Sequence, residues 1–117
     1  ASDVYKRQAL RHFCDCIRAL SPTDSLLGRV GGEEFLLLLA GGNGEAATRL
    51  SARLRTMLSS KPLQVGNKSL VLSFSAGVVE VCLGQRDSSA LLTRADKALY
   101  DAKRTGRGKT VVASDYL

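Results

Sequence analysis

The 117-residue sequence contains no long run of apolar residues. Its longest apolar stretch, at residues 35–40, has the length of a β-strand, whereas a membrane-spanning helix needs about 20 such residues. The first eight residues also lack the apolar centre of a secretory signal peptide. We therefore expect no membrane segment in this chain. We expect one globular domain, because a chain of this size can bury one hydrophobic core but not two.

Cysteine and histidine are also scarce, with three cysteines and one histidine in the chain. An odd number of cysteines in a chain that is not cysteine-dense argues against a disulfide framework. Cys14 and Cys16 have one residue between them, not the two to four of common zinc sites, and only His12 is near. We expect Cys16 to pack inward, with Cys14 and His12 partly exposed. Reduced thiols suit a protein of the cytoplasm.

The charge of the chain is strongly basic, with a net charge of +6 and a pI near 9.6. Such an excess attracts either a nucleic acid or a nucleotide with several phosphates. The basic residues are spread along the chain, with groups at residues 49–55 and 97–109, no run of five and little aromatic interleaving. This pattern favours a nucleotide, and we expect no nucleic acid partner.

Apolar residues recur at helical spacing in three segments, with shorter strand-like segments between and after them. The expected order is helix, hairpin, helix, hairpin, helix and strand, at residues 8–20, 26–40, 46–58, 63–81, 88–106 and 109–113. This order predicts an α+β fold, a mostly antiparallel sheet with helices packed on it. Tyr100 of the third helix is expected in the core. The same helix is expected to bury six apolar residues: Leu91, Leu92, Ala95, Ala98, Leu99 and Ala102.

Two carboxylates, Glu33 and Glu34, follow Gly31 and Gly32 directly at the start of an apolar strand. The two glycines predict a two-residue hairpin turn with a bare backbone that a ligand can approach. A carboxylate beside a buried strand is costly unless it is paired or binds a cation, and Mg²⁺ prefers carboxylate and phosphate oxygens. Two interpretations stay open from spacing alone: a solvated turn, or a site for a metal-bound nucleotide phosphate.

The segment around these residues resembles the signature of the GGDEF family in its GGEEF form. The residues that carry the resemblance are Arg29-Val30-Gly31-Gly32-Glu33-Glu34-Phe35. Three later blocks, at residues 72–78, 92–103 and 105–109, are similar to the family's later strand, its final helix and the segment after it. The resemblance covers most of residues 9–113 and implies a fold of the nucleotidyl-cyclase or palm type.

The resemblance implies a diguanylate cyclase, a nucleotidyltransferase that condenses two GTP into cyclic di-GMP and pyrophosphate. Each of two facing GGDEF domains would hold one GTP, so a homodimer and Mg²⁺ or Mn²⁺ are expected. Glu33 matches the metal-binding, catalytic carboxylate and Glu34 the second catalytic one. Gly31 and Gly32 match the turn that the nucleotide approaches. Lys103 and Arg107 match the basic pair that binds the phosphates, although they could instead complement the end of a helix.

The family's opening strand and helix have no counterpart in this sequence. They carry a further metal-binding aspartate and the residues that read the guanine base, so we expect this chain alone to be inactive. Residues 1–7 are interpreted as a leader from outside the family, with an artefact of the reading frame as the hypothesis for its origin, residues 8–113 as a partial GGDEF domain, and residues 114–117 as a tail. Without the opening strand, the strand at residues 35–39 is predicted to have an exposed edge.

The resemblance leaves two hypotheses about the parent protein. In the first it is an active diguanylate cyclase, the cytoplasmic part of a larger sensor. In the second it is a degenerate, non-catalytic GGDEF module that binds GTP, cyclic di-GMP or a protein partner.

Overall fold

The structure, a computed structural model, describes residues 2–32, 34–41, 43–80 and 88–113. In this part of the chain the fold is α+β, as predicted, and the elements follow the predicted order. The helices are α1 Ser2–Leu20, α2 Gly44–Ser60 and α3 Ser88–Arg104. The strands are β1 Leu26–Arg29, β2 Phe35–Leu38, β3 Leu63–Val65, β4 Lys68–Leu70, β5 Ala76–Val78 and β6 Thr110–Val112. None of the described helices combines the length and apolar character that crossing a membrane requires.

The chain divides into two compact units. Unit 1 consists of Ala1–Gly42 and Ala52–Leu72, and unit 2 of Asn43–Ser51 and Ser73–Leu117. Unit 1 therefore contains α1 and the strands β1 to β4, and unit 2 contains α3 with β5 and β6. Helix α2 contributes its first two turns to unit 2 and the remainder to unit 1.

The core of unit 1 forms around α1 and the second half of α2. Cys16, Ile17, Leu54 and Leu58 are buried, and the ring of Phe13 packs on that of Phe35 with centroids 5.9 Å apart. The expected inward position of Cys16 and partial exposure of Cys14 are confirmed. Helix α1 begins at Ser2, six residues before the predicted start, because residues 2–7 contain no proline or glycine to end it.

The histidine of α1 has a defined partner. The Nε2 atom of His12 lies 2.6 Å from the carbonyl oxygen of Lys61, the residue that follows the end of α2. In the tautomer that carries the proton on Nε2, the ring donates a hydrogen bond to this carbonyl. His12 is half-buried, which confirms its expected partial exposure. Its hydrogen bond connects α1 to the end of α2.

The second hairpin of unit 1 has a tight turn. Strands β3 and β4 pair antiparallel with Leu63 opposite Leu70 and Val65 opposite Lys68. Two residues, Gly66 and Asn67, therefore connect the strands, and Gly66 has a φ of +60°. A glycine with positive φ at the first central position is what a type II′ turn requires, so this hairpin forms where it was predicted but with a shorter loop.

Unit 2 is built as strand, helix and strand. Strands β5 and β6 pair in parallel, with Ala76 opposite Thr110 and Val78 opposite Val112, and α3 is the crossover between them. The other two pairs of strands, β1 with β2 and β3 with β4, are antiparallel. The prediction that the second strand of the 63–81 hairpin continues without a break beyond residue 70 is wrong. Residues 71–75 form no strand, and β5 begins only at Ala76.

Helix α3 lies very close to β5. A Cβ atom on Gly77 would sit 2.4 Å from both the carbonyl oxygen of Ala95 and the amide nitrogen of Leu99, so only glycine fits there. Two alanines, Ala98 and Ala102, form the buried stripe of α3, with 3% and 0% exposure.

Two residues of α3 that were expected inside are exposed. Tyr100 is 64% exposed and Leu92 is 45% exposed. Tyr100 lies two residues from both Ala98 and Ala102, and residues two apart on a helix do not share a face. Once the alanines face β5, Tyr100 must point away from it. The sequence pattern could not show that the stripe against β5 is so narrow.

Candidate functional site

The signature turn, defined here as residues 30–34, connects β1 to β2. The register pairs Arg29 with Phe35, and the backbone N–H of Val30 donates to the carbonyl of Glu34 at 3.0 Å. The N–H of Gly31 reaches the same oxygen at 3.4 Å. The hairpin therefore closes at Val30 and Glu34, and the predicted two-residue turn at Gly31 and Gly32 is wrong.

The side chain of Arg29 holds this turn. Its Nε atom lies 3.0 Å from the carbonyl oxygen of Gly32 and 3.3 Å from that of Gly31, and its Nη2 atom lies 2.6 Å from the Gly32 oxygen. The planar guanidinium thus donates two hydrogen bonds to one carbonyl, a geometry that lysine cannot reproduce. Sequence reasoning included Arg29 in the signature but assigned it no role; its position two residues before a Gly-Gly pair was the available signal.

The two glycines differ in their surroundings. A Cβ atom on Gly31 would lie 3.9 Å from the Oε1 atom of Glu34, whereas one on Gly32 would meet no described atom within 4 Å. Neither glycine has a positive φ. Packing within the described residues therefore does not demand glycine at residue 32, and the backbone there is open to a ligand.

One of the two acidic residues of the signature, Glu34, lies within the described part of the chain. Glu34 is exposed, and its carboxylate lies over the backbone of Gly31. Glu33, the predicted metal ligand, lies outside the described residues. An exposed carboxylate beside an open backbone supplies oxygen ligands that suit a hard divalent cation. In the described ranges, no three His, Cys, Asp or Glu side chains form a metal-binding group, so a cation here would take further ligands from elsewhere, as a phosphate-bound Mg²⁺ does.

The thiol of Cys14, on α1, is not activated. Burial raises the pKa of the Cys14 thiol, and the positive charges of Arg18 and Arg29 oppose this rise only in part. Burial likewise raises the pKa of Cys16. Both cysteines are therefore protonated at neutral pH, as structural cysteines are.

The predicted phosphate-binding residues lie at the end of α3, in unit 2. Lys103 is half-buried in the last turn of the helix. Arg107 is exposed and lies three residues after Arg104, where the helix ends. The N–H of Arg107 donates to the carbonyl of Ala102 at 2.9 Å, and Gly106 has a φ of +128°. This is the pattern of a Schellman cap, in which a glycine with positive φ ends the helix.

Lys109 also complements the end of α3. The Nζ atom of Lys109 donates to the carbonyl of Thr105 at 2.5 Å, where a cation also interacts favourably with the helix dipole. Lys109 thus already supplies a cation at this helix end, while the guanidinium of Arg107 is exposed.

A comparison with known protein families decides the identity of this fold. The sequence model of the family described as "Diguanylate cyclase, GGDEF domain" matches residues 7–109. The chain belongs to the GGDEF family. Its α+β architecture is that of the cyclase domains in this family.

Relatives of this GGDEF domain have two kinds of name. Diguanylate cyclase A of Treponema denticola is 27% identical over 99% of the chain and 32% of its own length. Cyclic di-GMP phosphodiesterase PdeR of Escherichia coli is 33% identical over 93% of the chain and 16% of its own length. The chain thus spans a third or less of these relatives.

A solved structure has the same architecture. The active GGEEF domain of a diguanylate cyclase from Vibrio cholerae superposes with a TM-score of 0.77 at 30% identity. The match covers 91% of this chain and 67% of that one. The residues that form the signature turn therefore lie in a domain whose fold is shared with a diguanylate cyclase.

The predicted site residues of this GGDEF domain fall into two groups. Gly31, Gly32 and Glu34 come together at the signature turn of unit 1, where Arg29 joins them. Lys103 and Arg107 lie at one helix end in unit 2.

Proposed function

We propose that the protein containing this chain condenses two molecules of GTP into cyclic di-GMP and pyrophosphate. The observation that carries the proposal is the signature turn, in which Arg29 fixes an open Gly31-Gly32 backbone beside the Glu34 carboxylate, in a chain of the GGDEF diguanylate cyclase family. Synthesis of cyclic di-GMP is the activity of the family, and the open turn and the basic helix end are what such a reaction needs.

The reaction forms one P–O bond and breaks another. The 3′-hydroxyl oxygen of one GTP attacks the α-phosphorus of the second, and the bond from that phosphorus to the bridging oxygen breaks, so pyrophosphate leaves. The hydroxyl proton must go to a base, and we assign this role to the exposed carboxylate of Glu34. In a second such step the 3′-hydroxyl of the second nucleotide attacks the α-phosphorus of the first, a second pyrophosphate leaves, and the ring closes.

The other residues bind and orient the nucleotide. Gly31 and Gly32 let the phosphates approach the backbone, because neither has a side chain and a Cβ atom on Gly32 would meet no described atom within 4 Å. Lys103 and Arg107 bind the triphosphate by charge-assisted hydrogen bonds. Phosphoryl-type transfer depends mostly on positioning and charge stabilisation, the roles proposed for the two glycines and for the two cations respectively.

A divalent cation fits the proposal. Glu33 would hold Mg²⁺ or Mn²⁺ together with phosphate oxygens. The cation would offset the negative charge of the triphosphate during the reaction. Because each domain holds one GTP and the product has two-fold symmetry, the active species is a dimer of GGDEF domains.

A second candidate function is a non-catalytic module that binds GTP, cyclic di-GMP or a protein partner. The observation that favours it is the relative PdeR, which is similar over 93% of this chain and carries the name of a cyclic di-GMP phosphodiesterase. A sequence like this one thus also occurs in a protein named for hydrolysis of the product.

The experiment that separates the two candidates measures GTP binding and product formation together. Full-length protein is incubated with GTP and Mg²⁺, and cyclic di-GMP is quantified by mass spectrometry. We expect product from the full-length protein and none from the isolated 117 residues. GTP binding by the full-length protein without any product would favour the non-catalytic module, and robust product from the isolated chain would contradict our expectation that it is inactive.

A further inference from the structure

The loop that follows α3 has an unusual backbone. In the Arg107 loop, defined here as residues 105–109, Gly106, Arg107 and Gly108 have φ angles of +128°, +59° and +61°. Glycine adopts such angles at little cost, but Arg107 is the one non-glycine residue with positive φ among those the structure describes. A positive φ brings the Cβ atom of an L-residue close to its own backbone, so this conformation persists only where the surroundings hold it.

Hydrogen bonds on both sides of Arg107 hold the loop. On the helix side, the N–H of Arg107 donates to Ala102 at 2.9 Å. On the strand side, the N–H of Gly108 donates to the side-chain oxygen of Ser75 at 3.0 Å. One residue further along, the N–H of Ala76 donates to the carbonyl of Lys109 at 2.9 Å, which starts the pairing of β5 with β6. Ser75 is thus the side chain that fixes the backbone directly after Arg107.

The side chain presented by this loop is exposed. An exposed arginine gains nothing in packing from a strained backbone, and a glycine at residue 107 would remove the strain. Strain of this kind is found where the direction of a side chain matters for function. A guanidinium that is already oriented loses less conformational freedom when it binds a phosphate.

We propose that Ser75 is a positioning residue for phosphate binding, because its hydroxyl holds the loop that orients Arg107. The inference rests on the proposed function, since it assigns Arg107 to the triphosphate. Ser75 need not touch the nucleotide; it acts through the backbone of Gly108. The sequence gives no hint of this role, because Ser75 and Gly108 are 33 residues apart.

A double-mutant cycle tests the proposal on the 117-residue chain. The dissociation constants of GTP and of inorganic tripolyphosphate are measured for the wild type, Ser75→Ala, Arg107→Ala and the double variant. We expect Ser75→Ala to weaken both ligands about three- to tenfold, the effect of one lost hydrogen bond. In the Arg107→Ala background, removing the hydroxyl should change both constants less than about twofold, because residues that act as a unit are not additive.

A conservative variant and a direct probe of the loop complete the test. Ser75→Thr keeps the hydroxyl and should bind both ligands within about twofold of the wild type, which is inside the additivity error of such cycles. Hydrogen exchange of the Gly108 amide, followed by NMR without nucleotide, should be faster in Ser75→Ala than in the wild type and Ser75→Thr.

Each other result has a definite meaning. Equal weakening by Ser75→Ala in both backgrounds would overturn the proposal, because Ser75 would then act through the fold as a whole. No weakening in either background would overturn it as well. If Arg107→Ala binds both ligands as tightly as the wild type does, the assignment of Arg107 to the triphosphate fails, and the inference fails with it. The exchange rate of the Gly108 amide would then still report whether Ser75 holds the loop.

Discussion

Replacing Gly77 with alanine should strongly destabilise unit 2. The new Cβ atom would lie 2.4 Å from the Ala95 oxygen and the Leu99 nitrogen, and 3.0 Å from the carbonyl carbon of Ala98. All three are backbone atoms of α3, so no side chain can rotate away and the helix itself must move by roughly 1 Å to restore ordinary contact distances.

The size of the expected loss of stability follows from the contacts that α3 gives up when it moves away from β5. Ala98 and Ala102 are 3% and 0% exposed, so lifting α3 from β5 loosens the most tightly buried contacts of the helix. Overpacking of a core costs about 1–3 kcal/mol, and occasionally more. Because the obstruction is backbone on both sides, we expect a loss of about 3 kcal/mol in the free energy of unfolding. A domain of this size has roughly 6–18 kcal/mol in total.

Urea unfolding followed by circular dichroism measures this loss, and Gly28→Ala is the matched control. Gly28 lies in β1, has no positive φ, and a Cβ atom there would meet no described atom within 4 Å. Alanine within a strand is about 0.5–1 kcal/mol more favourable than glycine, so the control should be as stable as the wild type or slightly more so. A Gly77→Ala variant within about 0.5 kcal/mol of the wild type would refute the close packing of α3 on β5.

Three further predictions concern the signature turn, the Arg107 loop and the cysteines. Arg29→Lys should speed hydrogen exchange of the amides in the signature turn while changing the free energy of unfolding by less than about 1 kcal/mol, since the lost hydrogen bonds are exposed. Exchange rates equal to those of the wild type would contradict the role of Arg29 in holding this turn. Arg107→Gly should raise the free energy of unfolding by about 0.5–1 kcal/mol, because relief of the positive φ outweighs the added freedom of the unfolded chain. Lys97→Gly, at an exposed position inside α3, should lower it by about 1 kcal/mol; equal losses in urea unfolding would contradict the strain. Burial raises the pKa of Cys14 and Cys16 in the folded state, so their contribution to stability should be complete below the usual thiol pKa and fall as pH rises above it. In a variant with serine at both positions, the urea concentration at the unfolding midpoint should therefore fall less steeply with pH above about pH 9 than in the wild type.

Much of the fold could be predicted from the sequence because its helices are amphipathic and its turns are marked by glycine and proline. Helical spacing located α2 and α3, and Gly66-Asn67 located the second hairpin. Spacing could not show the parallel pairing of β5 with β6, because pairing of distant strands leaves no local pattern. It also misplaced Tyr100, since the width of a buried stripe depends on what the helix packs against.

The candidate site was predictable to a smaller degree. The Gly31-Gly32-Glu33-Glu34 run and the basic pair could be read from a resemblance, whereas the contacts that support them could not. Arg29 reaches two carbonyls three residues away or less, and Ser75 supports a loop on a distant segment. Supporting contacts of this kind depend on backbone geometry, which residue types alone do not specify.

The most direct test of the central claim is the rate of cyclic di-GMP synthesis in a pair of full-length variants. Glu34→Gln removes the carboxylate at the signature turn, and Glu45→Gln removes an exposed carboxylate at the start of α2, where Glu45 pairs with Arg49. We predict that Glu34→Gln lowers the rate about 100-fold or more, the usual contribution of a positioned base, while Glu45→Gln leaves it unchanged. Equal rates for both variants and the wild type would contradict the assignment of the signature turn as the reactive edge of the site.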